Sequence, residues 1–323
     1  MSLWYIILFI LNYRKGFIMK RHTLHKLIFS ILLFAISFLA LFTSHKSSAF
    51  ADWYSSTIYP LFVSSIGRFF GIFPFSVSEI GLYIFIILLF LSLIRMLVSS
   101  IYKMYAKKKT PAWLGYSSSL LLLCGCLFTI YTFFCGINYG HTSFAEKYHL
   151  ESGQYTLAEL TSLCNELTDQ LNTLSDSLDR DSDGLADMGK DLQDRARAAM
   201  SSLGASYPEL SGYYPQPKGL LFPAFLSVQN LSGIYSPFTI EANYNSAMVS
   251  YNLPFTICHE LSHLRGFMQE EEANFIGFLA CANADDTAFN YSGYLLGGST
   301  QPMNFTKPTT TPLRKSTTGF LTM

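Results

Sequence analysis

The stretch HELSHLRGFMQEEEANF, residues 259–275, decides how the rest of this chain is interpreted. It holds two histidines four residues apart, a glutamate directly after the first, and three further glutamates beyond a glycine. Pro254 suits the first turn of a helix and Gly266 suits a helix end. The stretch therefore predicts a helix from Pro254 to Arg265, followed by a reversal and a second helix.

The two histidines of the first predicted helix form a candidate zinc site. Residues i and i+4 of a helix share one face, so His259 and His263 could bind a single ion. Glu260 follows directly on the same helix, where its carboxylate could hold a water beside the ion as a general base. This HExxH spacing predicts two zinc ligands and catalytic Glu260. The alternative is a pair of histidines on an ordinary polar helix face.

A catalytic zinc site has three protein ligands and one open position. The candidates for the third ligand are Glu270, Glu271 and Glu272, at the start of a helix predicted from near Gln269. Glu270 lies four residues before Asn274, so these two share a face. We predict Glu270 as the ligand and Asn274 as a hydrogen-bond partner of a zinc-bound histidine. Alternatively, the three acids only stabilise the positive end of the helix dipole.

The composition of the chain as a whole is that of a membrane protein. Charged residues make up 14% and hydrophobic residues 50% of the 323 residues, whereas soluble domains carry about a quarter charged residues. This composition makes the lipid bilayer an expected partner, and the net charge of zero leads us to expect no nucleic acid. Three apolar segments approach spanning length. We predict transmembrane helices at residues 27–43, 80–98 and 117–135.

Basic residues near the predicted spans indicate their orientation. They precede the first span and lie between the second and third, and they comprise Arg14, Lys15, Lys20, Arg21, Lys26, Lys103, Lys107, Lys108 and Lys109. Loops rich in lysine and arginine stay in the cytoplasm. We therefore predict a cytoplasmic N-terminus and 99–116 loop, and an extracytoplasmic location for everything after Cys135. In an oxidising space three cysteines could pair, namely Cys164, Cys258 and Cys281.

The chain divides into four predicted parts. A basic stretch begins at Met19, as is typical of a chain start before a membrane segment. The part before Met19 is therefore either an untranslated or an unstructured extension. After Gly140 the composition becomes that of a soluble domain. The end of the chain is polar and rich in threonine and proline, which predicts a disordered or aberrant tail. The predicted parts are an extension (1–18), a membrane domain (19–139), an extracytoplasmic metallopeptidase-like domain (140–295) and the tail (296–323).

Two more helices are predicted in the extracytoplasmic part. Leucines at spacings of three and four predict an amphipathic helix from Thr156 to Leu178, and a second helix is predicted from Leu185 to Leu203. Between them, DRDSDGLAD matches the opening of a calcium-binding EF-hand loop. Lys190 stands where calcium needs a carboxylate, so a solvated turn is the better interpretation.

Residues 259–275 resemble the gluzincin zinc metallopeptidases, which pair HExxH with a glutamate on a following helix. The glycine also fits the metzincin pattern HExxHxxGxxH, but Gln269 stands at the third histidine, and glutamine is a poor zinc ligand. More closely, residues 25–295 resemble a family of uncharacterised bacterial multi-pass membrane proteins of the zinc-peptidase-like group. The matching stretches are WYSSTIYP, PFSVSE, SGIYSPFTIEANYN, PFTICHELSHLRGFMQEEEANF and YSGY.

This resemblance implies a mainly α membrane protein: three N-terminal transmembrane helices followed by an α+β zincin-like extracytoplasmic domain. Residues 49–51 resemble a signal-peptidase site, but the resemblance implies that the first span is retained as an anchor. The tail after Leu295 departs from the family pattern. The expected function is zinc-dependent hydrolysis of a peptide or protein substrate. The alternatives are a non-catalytic sensor or scaffold with a structural zinc site, and an amidase that acts on cell-wall or lipid amides.

Further residues are candidates for binding the substrate or its transition state. The oxyanion of peptide hydrolysis needs a hydrogen-bond donor, for which we consider Tyr291, Tyr294 and Arg265. Glu241 and Asn245 could contribute an edge strand or an acidic rim that holds a peptide. These last two could equally be turn residues.

Overall fold

The structure is a computed structural model that describes residues 21–106, 112–150 and 156–300. The predicted 1–18 extension and residues 301–323 of the predicted tail lie outside the described residues. Most of the described chain is helical. Its helices of twelve residues or more are α1 (Arg21–Lys46), α2 (Val77–Tyr105), α3 (Ala112–Phe134), α4 (Leu157–Ser177), α5 (Leu192–Leu203), α6 (Leu253–Leu264), α7 (Glu270–Ala282) and α8 (Thr287–Thr300).

Three helices near the N-terminus are long and apolar enough to cross a membrane. They are α1, α2 and the Trp113–Phe134 part of α3. They contain most or all of each predicted apolar span, so the prediction of three helices with the length and apolar composition of membrane spans is confirmed. Their outward side chains are exposed, for example Ile87 at 57% and Phe90 at 62%. Such an apolar exposed surface is expected of helices that face lipid.

Helix α1 packs along α3 and runs in the same direction. Ser30, Ser37 and Ser44 recur at every seventh residue of α1 and are buried. Ser37 shares a hydrogen bond of 3.0 Å with Thr129, and further along Ser44 donates one of 2.6 Å to the Ile137 carbonyl. Because the numbers of both partners rise together, the two helices are parallel. Small polar residues at such an interface let helix backbones approach closely in a membrane.

Residues 48–71 form an irregular helix on the way to α2. Pro60 has no N–H to donate, and beside it the N–H of Tyr59 bonds to the carbonyl of Tyr54, five residues back. The widened turn keeps Tyr54, Tyr59 and Val63 on one buried face. The opposite face exposes apolar side chains, including Trp53, Leu61, Phe69 and Ile72.

A small sheet follows the helices α4 and α5. Its strands are β1 (Lys218–Gly219), β2 (Gly233–Ser236) and β3 (Glu241–Tyr244), in the spatial order β1-β3-β2. The central strand β3 is parallel to β1 and antiparallel to β2. In the part of the chain that the structure describes, β2 is therefore an edge strand.

Two buried carboxylates attach this sheet to the start of α2. Glu241 pairs with Lys218 and accepts hydrogen bonds of 3.1 and 2.8 Å from the N–H groups of the first two residues of α2. Glu79 reaches the other way and accepts hydrogen bonds of 2.8 Å from the N–H groups of Leu221 and Phe222. The sheet and the loop after β1 are thus held directly against the membrane helix.

Two buried tyrosines join the end of α3 to the C-terminal region. The Tyr59 hydroxyl lies 2.9 Å from the Tyr235 hydroxyl and 3.0 Å from the Leu264 carbonyl oxygen. The Tyr235 hydroxyl lies 3.0 Å from the carbonyl oxygen of Phe134, the last residue of α3. Burial raises the pKa of both phenols, so they act as neutral hydrogen-bonding groups.

The two helices predicted after Gly140 differ in outcome. The first is present as α4, whereas the second begins at Leu192 instead of Leu185. Gly189 and Asp191 have φ values of +72° and +56°, which a right-handed helix excludes. In the preceding loop, the Asp181 carboxylate accepts two backbone hydrogen bonds of 2.9 and 2.8 Å, as in a solvated turn. At the other end, α8 runs into the predicted tail as far as Thr300.

Candidate metal centre

Helix α6 carries the HExxH stretch and is buried on nearly every side. It spans Leu253–Leu264, close to the predicted 254–265. The chain then forms a Schellman end, in which Gly266 has a φ of +104°. The N–H groups of Gly266 and Phe267 bond back to the last helical turn at 2.9 and 3.2 Å. Glycine adopts this left-handed conformation without strain, so the chain reverses and α7 begins beside α6.

The reversal brings Glu270, the first residue of α7, to the two histidines. Nε2 of His259 lies 3.4 Å from one carboxylate oxygen of Glu270, and Nε2 of His263 lies 3.5 Å from the other. One ligand atom of each residue lies within 4.8 Å of the other two. Nitrogen and oxygen ligands bound tetrahedrally to one zinc ion stand about 3.4 Å apart. The spacing of these three residues therefore fits one zinc ion.

The ring of His263 is oriented by the chain that follows the reversal. Its Nδ1 lies 2.7 Å from the Phe267 carbonyl oxygen, which fixes the proton on Nδ1 and leaves Nε2 free to bind an ion. Nδ1 of His259 is buried and has no partner among the described residues. The predicted partner Asn274 lines the same pocket, yet in the described structure it bonds to neither histidine.

Glu260 lies beside this cluster and is 4% exposed. Burial raises the pKa of its carboxyl, while His259 and His263 act in the opposite direction. Oε2 of Glu260 has no hydrogen-bond partner among the described residues. A Cβ added to Gly233 would lie 2.7 Å from both Cγ and Cδ of Glu260. The backbone of Gly233 thus packs on the carboxylate at a distance that a side chain would not permit.

The charges of the cluster favour a cation. The close approach of His259 and His263 lowers the pKa of Glu270. Burial lowers the pKa of His263, but Glu270, Glu260 and the Phe267 carbonyl together raise it by more. Two carboxylates beside two imidazoles carry a net negative charge unless protons or a metal ion neutralise it. A divalent ion that binds nitrogen and oxygen ligands would neutralise this charge.

The cluster opens into a cavity of about 500 Å³, within the range typical of ligand sites. Its walls come from β2 and the residues just before it, α6, α7 and the turn that precedes it, α8, and the chain just after α3. The lining residues include Cys135, Tyr139, Ile234 and Asn274. The candidate metal centre is therefore a pocket that a substrate could enter.

Only one of the three candidate acids faces the histidines. Glu271 is exposed. The Glu272 carboxylate accepts a hydrogen bond of 2.6 Å from the N–H of Phe144 and lies 3.9 Å from His141. Two residues along a helix point to opposite sides, so Glu272 faces away from Glu270.

The three candidate transition-state stabilisers lie elsewhere. The Arg265 guanidinium donates to the backbone carbonyls of Glu209 and Ser211. The Tyr294 ring packs on Phe278 with ring centroids 5.6 Å apart, and Tyr291 packs against a separate small apolar cluster. None of these three residues, all within the described chain, lines the pocket. The end of α6 directs the Arg265 side chain towards a loop, and the spacing of residues in the sequence did not reveal this direction.

Glu241 and Asn245 belong to the framework of the sheet. Glu241 starts the central strand β3 and is 1% exposed. The Asn245 amide donates a hydrogen bond of 2.9 Å to the Ser227 hydroxyl. The strand that lines the pocket is β2, through Gly233 to Tyr235. An edge strand thus lies at the pocket, but it precedes the residues that were expected to form it.

Two glycines at the site were missed by the sequence analysis. Gly233 packs on Glu260, as described above. A Cβ on Gly277 of α7 would lie 3.2 Å from the backbone nitrogen of His259, so this glycine lets α7 approach α6 closely. An isolated glycine in a helical pattern is a general signal of such packing, and it was available in FIGFLA.

A comparison with protein families matches residues 54–310 to a family described as "Protein of unknown function (DUF3810)". Searches of curated proteins and of solved structures return no match. The family match begins after α1 and runs past Leu295, so it starts later and ends later than the expected resemblance over 25–295. It includes α6 and α7 with the whole candidate metal centre. Because the match covers most of the chain, this protein belongs to the DUF3810 family.

Proposed function

We propose that this chain is a membrane-anchored, zinc-dependent metallohydrolase, and specifically a peptidase with a zincin-like arrangement around α6 and α7. The observation that carries the proposal is the meeting of His259, His263 and Glu270 beside buried Glu260 in one pocket. A zinc ion held by these three residues would polarise a carbonyl group and lower the pKa of a water. The positive-inside rule supports an extracytoplasmic site.

Glu260 is the general base of the proposed reaction. Its carboxylate would take a proton from the attacking water and deliver it to the leaving amine. Burial, which raises the pKa of Glu260, makes the carboxylate a stronger base than a solvated one. The backbone of Gly233 holds the carboxylate in place from the side of β2.

The edge strand β2 supports a peptide as the substrate. It lines the pocket from Gly233 to Tyr235 and pairs only with β3 among the described residues. An extended peptide can add to such a free edge through backbone hydrogen bonds. The peptide would then pass the metal ligands with one carbonyl group close to Glu260.

The proposal is tested by metal content and hydrolysis in the purified full-length protein. We expect about one zinc per chain, a sharp loss of zinc in His263→Ala, and retained zinc without hydrolysis of a fluorogenic peptide mixture in Glu260→Gln. Glu271→Gln changes an exposed neighbouring acid and should match the wild type in both respects. Equal zinc in the wild type and His263→Ala would refute the ligands, and unchanged hydrolysis in Glu260→Gln would refute Glu260 as the base. Bound zinc with no hydrolysis in the wild type would indicate a scaffold.

The proposed orientation has its own test. The test uses an enzyme reporter that is active only outside the cytoplasm. Fused after residue 140, just beyond α3, this reporter should be active. A second fusion in the lysine-rich loop between α2 and α3 should give the opposite result. A cytoplasmic signal from the first fusion would contradict the orientation without affecting the ligand assignment.

A further inference from the structure

The loop after β1, residues 220–231, lies at the level of the membrane helix α2. The Phe222 ring packs edge-on against Tyr83, with centroids 5.7 Å apart. Tyr83 lies inside the apolar span of α2, several residues after its start at Val77. Glu79 in the first turn of α2 accepts hydrogen bonds from the N–H groups of Leu221 and Phe222. This loop, here called the rim loop, is therefore anchored beside the apolar span and not above it.

The rim loop has the surface of a membrane-inserted segment. Residues 219–240 contain no charged side chain. Leu221, Phe222, Phe225 and Val228 are exposed at 56%, 62%, 51% and 85%. A contiguous exposed apolar patch on a soluble surface is rare and marks an interaction site. Its continuity with the apolar surface of α2 identifies lipid as the partner.

The rim loop leads directly into the candidate metal centre. Asn230 to Tyr235 line the pocket, and Leu231 and Ile234 are exposed at 40% and 45% at its edge. The pocket is also lined by Cys135 and Tyr139, which follow immediately after the end of α3. Both the segment that continues the rim loop and the chain that follows the candidate membrane helix α3 thus line the pocket.

We infer that the rim loop enters the bilayer, and that the pocket takes a polypeptide segment next to the membrane anchor of another protein. This inference rests on the proposed peptidase function, whose substrate class it names. The edge strand β2 at the pocket favours a polypeptide over a lipid amide, because an extended chain can pair with its outer edge, which pairs with no other strand among the described residues. A chain leaving the bilayer beside the rim loop reaches the metal centre directly.

The position of the rim loop is tested without reference to activity. Trp4, Trp53 and Trp113 are replaced by phenylalanine in the full-length protein, and a single tryptophan is introduced by Val228→Trp or, as a control, by Leu185→Trp. Leu185 is also exposed, at 48%, but lies in the turn before α5. In vesicles of phosphatidylcholine with brominated acyl chains, we expect strong quenching for Val228→Trp and little for Leu185→Trp. Equal weak quenching at both positions would overturn the inference.

The substrate class is tested with a randomised peptide segment presented in two forms. In one form the segment is joined to a single-span helix in the same vesicles as the enzyme. The other form is the soluble segment alone. We expect cleavage of the anchored form close to its helix, because the rim loop leads directly into the residues that line the pocket. Val228→Asp should slow this cleavage and leave the zinc content unchanged.

Two results would overturn the substrate class. One is equal cleavage of the soluble and anchored forms. The other is release of fatty acid from an N-acyl lipid amide while both peptide forms stay intact. Failure of the peptidase function is a separate result, since it appears as peptide hydrolysis that is absent in the wild type or unchanged in Glu260→Gln, whereas the quenching experiment reports bilayer entry by itself.

Discussion

The carboxylate of Glu260 packs directly against the backbone of Gly233, where a side chain would overlap it. This contact joins the HExxH helix to the edge strand that lines the pocket. It gives Glu260 a fixed position although one of its oxygens has no hydrogen-bond partner among the described residues. A residue without a side chain is thereby part of the candidate catalytic apparatus.

Gly233→Ala should reduce hydrolysis while zinc remains bound. The added methyl group would lie 2.7 Å from two carbon atoms of Glu260, so the carboxylate must shift, and a misplacement of about 1 Å can cost roughly 100-fold in rate. The measurement is kcat on a cleaved peptide together with zinc content. Gly81→Ala is the control, because a methyl group there meets no atom within 4 Å. Equal rates for both variants would contradict the role of Gly233.

Residues that depend on helix spacing could be predicted from the sequence, and residues that depend on distant contacts could not. The shared face of His259 and His263 follows from the helix period alone. The approach of Glu270 follows from one glycine reversal. Gly233, in contrast, meets Glu260 through the tertiary fold, and the direction of Arg265 is set by a loop far away in the chain. The zinc role of the three predicted ligands stays a prediction.

The two helices α6 and α7 form a hairpin whose close packing positions the candidate ligands. Gly277 of α7 lies against the backbone of His259, where an added Cβ would be 3.2 Å from the nitrogen. The Schellman end at Gly266 sets where α7 begins. The distance between the histidines and Glu270 is therefore a property of the hairpin as a whole.

Gly277→Val should lower zinc affinity about 10- to 100-fold, the range typical of disturbed support for metal ligands. The branched side chain pushes α7 away from His259 and so moves Glu270 from the histidines. Zinc affinity is measured by competition with a chelator. Glu271→Val, on the exposed side of the same helix, controls for the loss of helix propensity. A Gly277→Val protein with wild-type affinity would show that the spacing of the hairpin does not matter.

Among the elements, long apolar or strongly periodic helices were predictable, since composition and period alone define them. The membrane spans and α4 are examples. The predicted start of α5 was wrong, because Gly189 and Asp191 adopt left-handed conformations that periodicity does not reveal. Strands of two to four residues leave almost no period to detect. The widened turns in residues 48–71 depend on Pro60 and on packing.

Across the whole molecule, the C-terminal region is attached to the membrane helices by buried polar contacts instead of a free linker. Glu241 and Glu79 join the sheet and the rim loop to the first turn of α2. The tyrosine pair joins the end of α3 to β2 and α6. None of these contacts was predictable from sequence, because each joins residues more than a hundred positions apart.

Glu241→Ala should strongly destabilise the protein. It leaves the buried Lys218 ammonium without its carboxylate and removes two hydrogen bonds from the start of α2. Breaking a buried pair in this way costs about 3–5 kcal/mol, which should appear as a large fall in Tm in detergent. Asp194→Ala breaks an exposed pair with Arg197 and should cost less than about 1 kcal/mol. Similar Tm values for both variants would argue against a stabilising role for the buried pair.

The buried pair of Tyr59 and Tyr235 has a consequence for which peptide bond of a substrate would be cleaved. Tyr235 contacts the last residue of α3 and belongs to the strand at the pocket, while Tyr59 contacts the end of the HExxH helix. The distance of the candidate metal centre from the end of α3 is thus set by short hydrogen bonds. Under the proposed function, this fixed distance means that the enzyme selects a peptide bond by its distance from the lipid surface and tolerates many residue types around that bond.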